Sequence, residues 1–253
     1  MLNLERRSRI LQLIEERGKV EVSELSQLFN TSEVTIRGDL KDLHKRGLLR
    51  RAHGGAVKIE PVGVDPSLQI KAELHADQKR RIGAAAAGLV HDGDSIIIDS
   101  GTTTQQIARH LRNKKDLKVI TNGLNVATEL LGAKDVQVIL LGGVLRQNSY
   151  SVVGHFTEDM LRQLSADKLF LAVDAFDLDF GLSTPNLEES QVNQAMVRIA
   201  KETILVADSS KFGKRRLSRI APLSDIDRII TDDGLPAATQ DELRARGIEL
   251  ILV

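Results

Sequence analysis

Apolar residues near the start of the chain follow a helical period and then give way to short β-prone stretches. A first helical stripe is followed by a second predicted helix over residues 24–29. Ser32 is placed to cap a third helix, which ends at Gly47. The apolar positions of this third helix are spaced i, i+4, i+7, at Ile36, Leu40 and Leu43. A β-prone hairpin with glycines at its tip comes next. The pattern predicts a winged helix-turn-helix over residues 1–57.

From residue 77 to residue 253 the apolar pattern alternates between strand-like and helix-like stretches. Strands are predicted over 95–99, 117–121, 136–141, 168–174, 203–207, 228–231 and 248–253. Such alternation is typical of a parallel α/β sheet with helices on both faces. Residues 58–76 lack periodicity and contain Pro61 and Pro66, which predicts an extended linker between the two domains.

Charge adds information in only one part of the chain, because the formal net charge of the whole is zero. Residues 32–58 hold seven Lys or Arg residues against three Asp or Glu residues. Basic residues beside a helix-turn-helix indicate contact with DNA phosphates, and the alternative is an ordinary solvated surface. We expect Ser32, Glu33, Thr35 and Arg37 to face the groove, Lys41 to join the basic set, and Arg50, Arg51 and His53 to contact the backbone or minor groove.

Composition excludes several other kinds of chemistry. The chain has no cysteine, so disulfides, thiolate metal sites and cysteine nucleophiles are ruled out. Its six histidines show no metal-ligand spacing, and no nucleotide-binding glycine motif is present. We therefore expect no metal and no cofactor. The sequence also has no transmembrane run and no signal peptide, so a cytoplasmic location is expected.

A candidate anion site follows the first predicted strand of the second domain. Ile96, Ile97 and Ile98 suit a buried strand, and Asp99, Ser100 and Gly101 form a turn. Thr102, Thr103 and Thr104 then open a helix, whose N-terminus offers backbone N–H groups and a positive dipole end to a phosphate. The alternative is that the threonines only cap the helix.

Polar residues also follow other strands of the predicted sheet, and the carboxyl ends of parallel strands form one edge. These residues are Thr121, Asn122, Gly143, Asp174 and Lys211, with Glu189 on a later helix. We expect the N–H donors and Lys211 to bind a phosphate, and Asp174 and Glu189 to accept hydroxyl groups of a sugar. Stabilisation of their own loops is the alternative role for each of these residues.

Motifs in both halves resemble one known family. Residues 35–40 (Thr-Ile-Arg-Gly-Asp-Leu) and 53–56 (His-Gly-Gly-Ala) resemble the DNA-binding signature of the DeoR family of bacterial sugar-operon regulators. Gly38 departs from that signature, which usually has a second arginine there. Residues 99–104 and 208–211 (Asp-Ser-Ser-Lys) resemble the DeoR sensor domain, which is similar in fold to ribose-5-phosphate isomerase. The N-acetylgalactosamine, galactitol and glucitol repressors are the most similar subgroup.

The resemblance implies a winged helix-turn-helix joined to a Rossmann-like α/β sensor domain. It further implies a transcription regulator, expected to repress a sugar or amino-sugar operon and to leave operator DNA when a phosphorylated sugar binds. A homodimer or homotetramer is the expected assembly, with no membrane partner. The alternative is a sugar-phosphate isomerase with an added DNA-binding module. Glu189 is available as a base, but the lysine of the isomerase is replaced in residues 180–184, so a sensor without catalytic activity is preferred.

Overall fold

The computed structural model describes residues 3–59 and 62–253 of the chain. Two compact units divide at residue 74, the first comprising residues 1–74 and the second residues 75–253. Each unit has its own hydrophobic core, and the site residues expected from the sequence fall into the two units by function.

The first unit contains helices α1 (Asn3–Arg17), α2 (Val22–Leu28), α3 (Glu33–Lys45) and α4 (Leu68–Glu73), and strands β1 (Lys19–Glu21), β2 (Arg50–Ala52) and β3 (Gly55–Val57). The strands form an antiparallel sheet in the order β1-β3-β2. Leucine, isoleucine and valine side chains from α1, α2, α3 and the sheet make one core. This is the winged helix-turn-helix that the apolar spacing predicts, with β1 added to the hairpin as a third strand.

Helix α4 lies inside residues 58–76, where we expected an extended linker. Leu68 and Ile70 of this helix are buried, and α4 packs against α1 within the first unit. Lys71 forms an ion pair with Asp65 at 3.0 Å, which ties the helix to the preceding turn. The expectation of a tether therefore differs from the structure over 68–73, where the packing of Leu68 and Ile70 stabilises a helix that is too short to be stable alone. Residues 60 and 61, including one of the two prolines, lie outside the described residues.

The second unit contains helices α5 (Ala76–Gly88), α6 (Thr102–His110), α7 (Leu124–Glu129), α8 (His155–Leu161), α9 (Leu187–Ile199) and α10 (Ala237–Ala245). Its strands are β4 (Ser95–Ile98), β5 (Leu117–Thr121), β6 (Val136–Leu140), β7 (Val144–Arg146), β8 (Ser151–Val153), β9 (Ala166–Leu171), β10 (Ala175–Asp177), β11 (Gly181–Thr184), β12 (Ala200–Val206), β13 (Ser218–Ala221), β14 (Arg228–Thr231) and β15 (Glu249–Leu252).

Seven of these strands form one parallel sheet in the order β15-β14-β12-β9-β4-β5-β6. Successive residues of β4 point to opposite faces, so that Ile97 lies in one core cluster and Ile96 and Ile98 in the other. Helices α8, α9 and α10 cover the first face, and α5, α6 and α7 cover the second. The doubly covered parallel sheet expected from the sequence is confirmed.

The strand order reverses between β4 and β9. From β4 the chain adds β5 and β6 on one side, and it then returns to place β9, β12, β14 and β15 on the other. Open parallel sheets bind their ligands in the crevice that such a reversal leaves at the carboxyl ends of the strands. The fold therefore singles out the ends of β4 and β9, at residues 99 and 172, as the place to look for a binding site.

Candidate functional site

Ser32 caps α3 as the sequence predicts. Its Oγ accepts a hydrogen bond from the backbone N–H of Thr35 at 3.2 Å and shares a second hydrogen bond with Thr35 Oγ1 at 2.9 Å. Two of the four residues expected in the DNA groove are thus committed to each other at the start of the helix. Ser32 remains solvent-exposed, whereas Thr35 is half-buried.

The outer face of α3 carries the remaining residues expected there. Glu33, Arg37 and Lys41 are exposed, and Arg37 forms an exposed ion pair with Glu33 at 2.9 Å. Val34 is 79 % exposed, and a side chain built at Gly38 would meet no atom within 4 Å. Sequence reasoning missed Val34, whereas it treated Gly38 as a position where glycine removes a potential DNA contact. The positions left between the buried ones could have identified Val34, because 34, 37, 38 and 41 share a helix face.

The wing presents the other basic residues. Arg50, Arg51 and His53 are all exposed, on β2 and at the hairpin tip. The tip is held against the start of α2, because the backbone N–H of Val22 donates to the carbonyl of Gly54 at 2.8 Å. A Cβ at Gly55 would lie 2.0 Å from the Val20 carbonyl oxygen, so only glycine allows this approach. The cations of the wing therefore sit on a braced hairpin, available to phosphate groups.

A buried charge cluster lies on the opposite side of α3. Asp39 is only 2 % exposed, and its two carboxylate oxygens accept hydrogen bonds from Arg6 Nε at 2.6 Å and Arg7 Nε at 2.8 Å. Arg7 also donates to Asp42 at 2.6 Å. The sequence gave no sign of this cluster, because the arginines and the carboxylates belong to different helices.

In the second unit, Asp99 connects the two strands at the reversal point of the sheet. It follows β4 directly, and its Oδ2 accepts a hydrogen bond from the backbone N–H of Ala172, just after β9, at 3.3 Å. Its Oδ1 accepts from the N–H of Ser100 at 2.7 Å. Burial, reinforced by the charge of Glu189, raises the pKa of Asp99 to about 8, although Asn193 and the N–H groups of Ser100 and Ala172 act in the opposite direction. The carboxyl group is therefore protonated over much of the neutral range.

The turn after Asp99 leads into α6, as the sequence predicts. Gly101 occupies the N-cap position with φ +152°, and Thr102, Thr103 and Thr104 form the buried first turn. The N–H groups of a first helical turn have no acceptor within the helix. By contrast, the N–H of Ser100 is already used, since it donates to both Asp99 and Asn122. An anion at this helix end would thus meet the N–H groups that follow Ser100.

Residues that follow β5 brace this turn. The side-chain oxygen of Asn122 accepts from the N–H of Ser100 at 3.0 Å, and the amide of Asn125 donates to the carbonyl of Gly101 at 2.8 Å. The hydroxyl of Thr121 accepts from the N–H of Gly123 at 3.0 Å. Thr121 and Asn122 are almost completely buried. In this structure both support the loop, which is the alternative role considered for them.

Two further carboxylates, Asp174 and Glu189, are linked to each other through the hydroxyl of Thr184, and the charge of Glu189 acts on Asp99. Thr184 Oγ1 donates to Asp174 at 2.9 Å and lies 3.5 Å from Glu189. Glu189 also accepts from the hydroxyl of Ser151 at 2.7 Å and forms an ion pair with Arg146. Asp174 and Glu189, expected together from the sequence, are thus brought into one cluster.

Arg146 is the residue of this cluster that sequence reasoning missed. It comes from β7, donates to Ser149 at 2.9 Å, and Ser149 shares a hydrogen bond with Ser151 at 2.7 Å. The ring formed by Arg146, Ser149, Ser151 and Glu189 fastens the β7–β8 hairpin to α9. No local signal could have found it, because the short strand has no periodicity and its ion-pair partner lies on a distant helix.

Lys211 lies in a short helical turn after β12, beside a buried carboxylate. Burial acts to raise the pKa of Asp208, but the charges of Lys211, Lys79 and His75 outweigh it and hold that pKa below its ordinary value. One carboxylate oxygen of Asp208 has no hydrogen-bond partner. Gly143, the last of the expected residues, is exposed between β6 and β7, and a Cβ there would lie 2.3 Å from Thr157 Oγ1. Close packing against α8 explains that glycine.

Two absences hold for residues 3–59 and 62–253. Within these ranges no helix has the length and apolar character needed to cross a bilayer. The same residues contain no cluster of three or more side chains suited to holding a metal ion.

A winged helix-turn-helix with an exposed basic face, in one chain with an α/β unit that gathers polar groups at its strand reversal, defines a ligand-responsive DNA-binding regulator. Family models agree: the DeoR-like helix-turn-helix domain matches residues 6–62, and the DeoR C-terminal sensor domain matches residues 74–233. The chain belongs to the DeoR family, and it is a transcription regulator.

Individual proteins are similar over almost the full length. A protein of Escherichia coli O157:H7, named as a transcriptional repressor of the aga operon, is 43% identical over 98% of this chain and 93% of its own length. The HTH-type transcriptional regulator GlpR of Haloferax volcanii is 36% identical over 99% of this chain and 98% of its own. Such relatives are named as regulators, and the isomerase alternative has no support from them.

Among solved structures, ribose 5-phosphate isomerase from Plasmodium falciparum covers 53% of this chain and 52% of its own, with 14% sequence identity and a TM-score of 0.39.

Proposed function

We propose that this regulator represses a sugar or amino-sugar catabolic operon and is released from operator DNA when a phosphorylated sugar binds to the second unit. In this proposal the site comprises the turn 99–104 and α6, the carboxylates Asp174 and Glu189, and Lys211. Arg146 is added to the set expected from the sequence. The working form is a homo-oligomer in the cytoplasm.

The position of the turn at the strand reversal is the observation that carries this proposal. Asp99 joins the ends of β4 and β9 through its hydrogen bond from Ala172, and α6 begins three residues later. A helix N-terminus supplies N–H donors and a positive dipole end, which together suit a phosphate group. The hydroxyls of Thr102 and Thr103 add donors, whereas the hydroxyl of Thr104 donates to the carbonyl of Gly101 at 3.2 Å. These features support an anion site in the crevice, which is where open parallel sheets bind their ligands.

The adjacent cluster suits the other end of a sugar phosphate. Asp174, Glu189 and Thr184 are connected by hydrogen bonds, and Glu189 is close enough to Asp99 to raise its pKa. Carboxylates accept hydrogen bonds from hydroxyl groups, and such charge-assisted bonds are stronger than neutral ones. A ligand with a phosphate at one end and several hydroxyls at the other satisfies both halves of the site.

The names of the relatives support the choice of a sugar operon. The aga repressor and GlpR are matched over both units, including the DNA-binding unit and the whole strand-reversal region.

Release from DNA would be ordinary linkage. A ligand that binds the DNA-incompetent arrangement more tightly shifts the population toward it by its difference in affinity.

A ligand panel tests this proposal directly. The purified protein is melted with hexose, hexosamine, hexitol and tagatose phosphates, each beside its unphosphorylated counterpart. A ligand at 100 times its dissociation constant stabilises the folded protein by about 2.7 kcal/mol, and the same compound should then lower affinity for operator DNA. Stabilisation by unphosphorylated sugars alone would contradict the phosphate assignment.

A charge reversal at the helix end gives the matched test. Thr102→Glu places a carboxylate where the phosphate is expected, so repulsion should abolish ligand-induced stabilisation and release while operator binding stays within about threefold. Thr239→Glu adds the same charge to the first turn of α10, in the same unit, and should respond normally. A normal response in Thr102→Glu would remove α6 from the proposed site.

The oligomer is tested by analytical ultracentrifugation of the full chain with and without operator duplex. Operators read by winged helices are usually symmetric or repeated, so two or more copies should bind one operator. A monomer on the DNA would contradict this part of the proposal.

A further inference from the structure

We infer that Asp39 is a positioning residue for DNA recognition, which fixes the orientation of α3 through the guanidinium groups of Arg6 and Arg7. This inference rests on the DNA-binding role of the family. It is independent of the proposed sugar-phosphate site, because every residue involved lies in the first unit.

The contacts join two helices of that unit. Asp39 projects from α3 into the interior, and both of its oxygens are occupied, one by Arg6 Nε at 2.6 Å and the other by Arg7 Nε at 2.8 Å. The arginines come from the start of α1. Their side chains are only 12% and 17% exposed, so they are turned inward and away from solvent.

The opposite face of α3 is the one available to DNA. Val34, Arg37, Gly38 and Lys41 are exposed, whereas the side of the helix that includes Asp39 is buried. A rotation of α3 about its axis would move Val34 and Arg37 relative to the base edges. The same rotation would break hydrogen bonds to both arginines, because each oxygen of Asp39 is held in its own direction.

The hydrogen bonds of Asp39 fix an orientation of α3 that apolar packing alone does not fix. The isoleucine and leucine contacts of α3 are strong but non-directional, so they tolerate small rotations and shifts. A buried ion pair adds little net stability because desolvation offsets the attraction, but its hydrogen bonds have defined geometry. The hydrogen bonds of Asp39 to Arg6 and Arg7 are therefore suited to fix the rotation of α3 about its axis.

This arrangement also changes the role of a basic pair that would otherwise be read as a phosphate contact. Arg6 and Arg7 are adjacent cations at the start of a DNA-binding unit. In the structure their two charges face two carboxylates, Asp39, which is bonded to both arginines, and Asp42, which is bonded to Arg7. We assign them to the interior of the unit, and we assign DNA contact to α3 and the wing.

The test compares specific and non-specific DNA binding by the full-length protein. The specific probe is a duplex enriched from a random library by the wild-type protein, and the non-specific probe is a random-sequence duplex of equal length. Asp39→Asn should weaken binding to the enriched duplex at least tenfold and leave binding to the random duplex within about twofold. Asp42→Asn is the matched control, because it neutralises a partly exposed carboxylate that lies on the same helix and is bonded to Arg7. It should change the ratio of affinities for the enriched and the random duplex less than threefold.

Arginine-to-lysine variants separate positioning from phosphate contact, and they also serve if Asp39→Asn does not fold. Arg7→Lys keeps the charge but loses the planar fork of the guanidinium. If Arg7 positions α3, Arg7→Lys should lower the ratio of affinities for the enriched and the random duplex. The slope of log affinity against log salt concentration should stay unchanged. A direct phosphate contact predicts a normal ratio in Arg7→Lys, and a slope reduced by about 1 in Arg7→Gln. Circular dichroism melting confirms that each variant is folded at the assay temperature. A normal ratio in folded Asp39→Asn or Arg7→Lys would overturn the inference.

Discussion

Asp99 is a carboxyl group that burial and a neighbouring carboxylate both push toward its protonated form. Its pKa of about 8 compares with an unfolded value of about 3.9. Between these values the folded protein holds a proton that the unfolded chain releases. Raising the pH from about 4 to 8 therefore favours unfolding, and the contribution of this proton to stability is lost as the pH passes the folded pKa.

Asp99→Asn should accordingly flatten the pH dependence of stability. In the wild type we expect the urea concentration at the unfolding midpoint of the second unit to decrease as the pH rises from 6 to 9. In the variant the decrease should be smaller. Asp167→Asn is the control, because Lys201 and the N–H of Ser95 hold the pKa of Asp167 below its ordinary value and its effect belongs to acid pH. Equal slopes in the wild type and Asp99→Asn would show that Asp99 is ionised in the folded protein.

Residue types indicate which polar residues are candidates for the proposed site, but they do not indicate the contacts among those residues. The turn 99–104 and Asp174 could be chosen as candidates because they follow strands that the apolar pattern defines, and Glu189 could be chosen as a carboxylate on a later helix. Arg146 could not, because its importance depends on a pairing between a short hairpin and a distant helix. From the sequence, Asp39 was only one of the three acidic residues in 32–58. The packing of α1 against α3 shows why it is buried.

At the scale of whole elements, α5 and α6 pack unusually closely at Gly83. A Cβ there would lie 2.4 Å from Gln106 Cβ and 3.1 Å from the backbone nitrogen of Ile107. Neither atom can move without shifting α6. Because α6 begins at the proposed phosphate site, the position of that helix depends on a glycine in its neighbour.

Gly83→Ala should therefore destabilise the second unit by about 1–3 kcal/mol through overpacking, although alanine favours the helix by about 1 kcal/mol. Gly88→Ala lies in the same helix with no atom within 4 Å of its new Cβ, so it should be neutral or stabilising. Urea unfolding of both variants makes the comparison. If Gly83→Ala were as stable as Gly88→Ala, the two helices could separate without cost.

Long elements were predictable from apolar spacing, and short ones were not. Helices α1, α2 and α3 follow the apolar spacing of the sequence, and the seven strands of the parallel sheet are marked by apolar stretches that alternate with helical ones. Strands β7, β8, β10, β11 and β13 lie outside the parallel sheet and were not predicted, because they do not alternate with helical stretches as the strands of that sheet do. Helix α4 was missed because one and a half turns with two buried side chains resemble an irregular segment.

At the scale of the whole molecule, the two proposed activities fall in different units. All residues of the proposed effector site belong to 75–253, and the exposed basic residues of α3 and the wing belong to 1–74. The second unit has a core on each face of its sheet, which is enough apolar material for independent folding.

Residues 75–253 expressed alone should consequently bind the phosphorylated sugar with a dissociation constant within about threefold of the full-length value. Isothermal titration calorimetry on both proteins provides the measurement, and Thr102→Glu in the shorter chain is the negative control. A loss of affinity greater than tenfold in a folded 75–253 would mean that residues 1–74 contribute to ligand binding.

Gly38 gives the molecule a route for evolutionary change. It sits on the exposed face of the recognition helix, its φ is ordinary, and a side chain added there meets nothing. The family signature usually has an arginine at this position. A single codon change at Gly38 could therefore introduce a new base contact without disturbing the core or the Asp39 cluster. Gene duplicates of this regulator could diverge in the promoters that they recognise while keeping the same fold and the same effector.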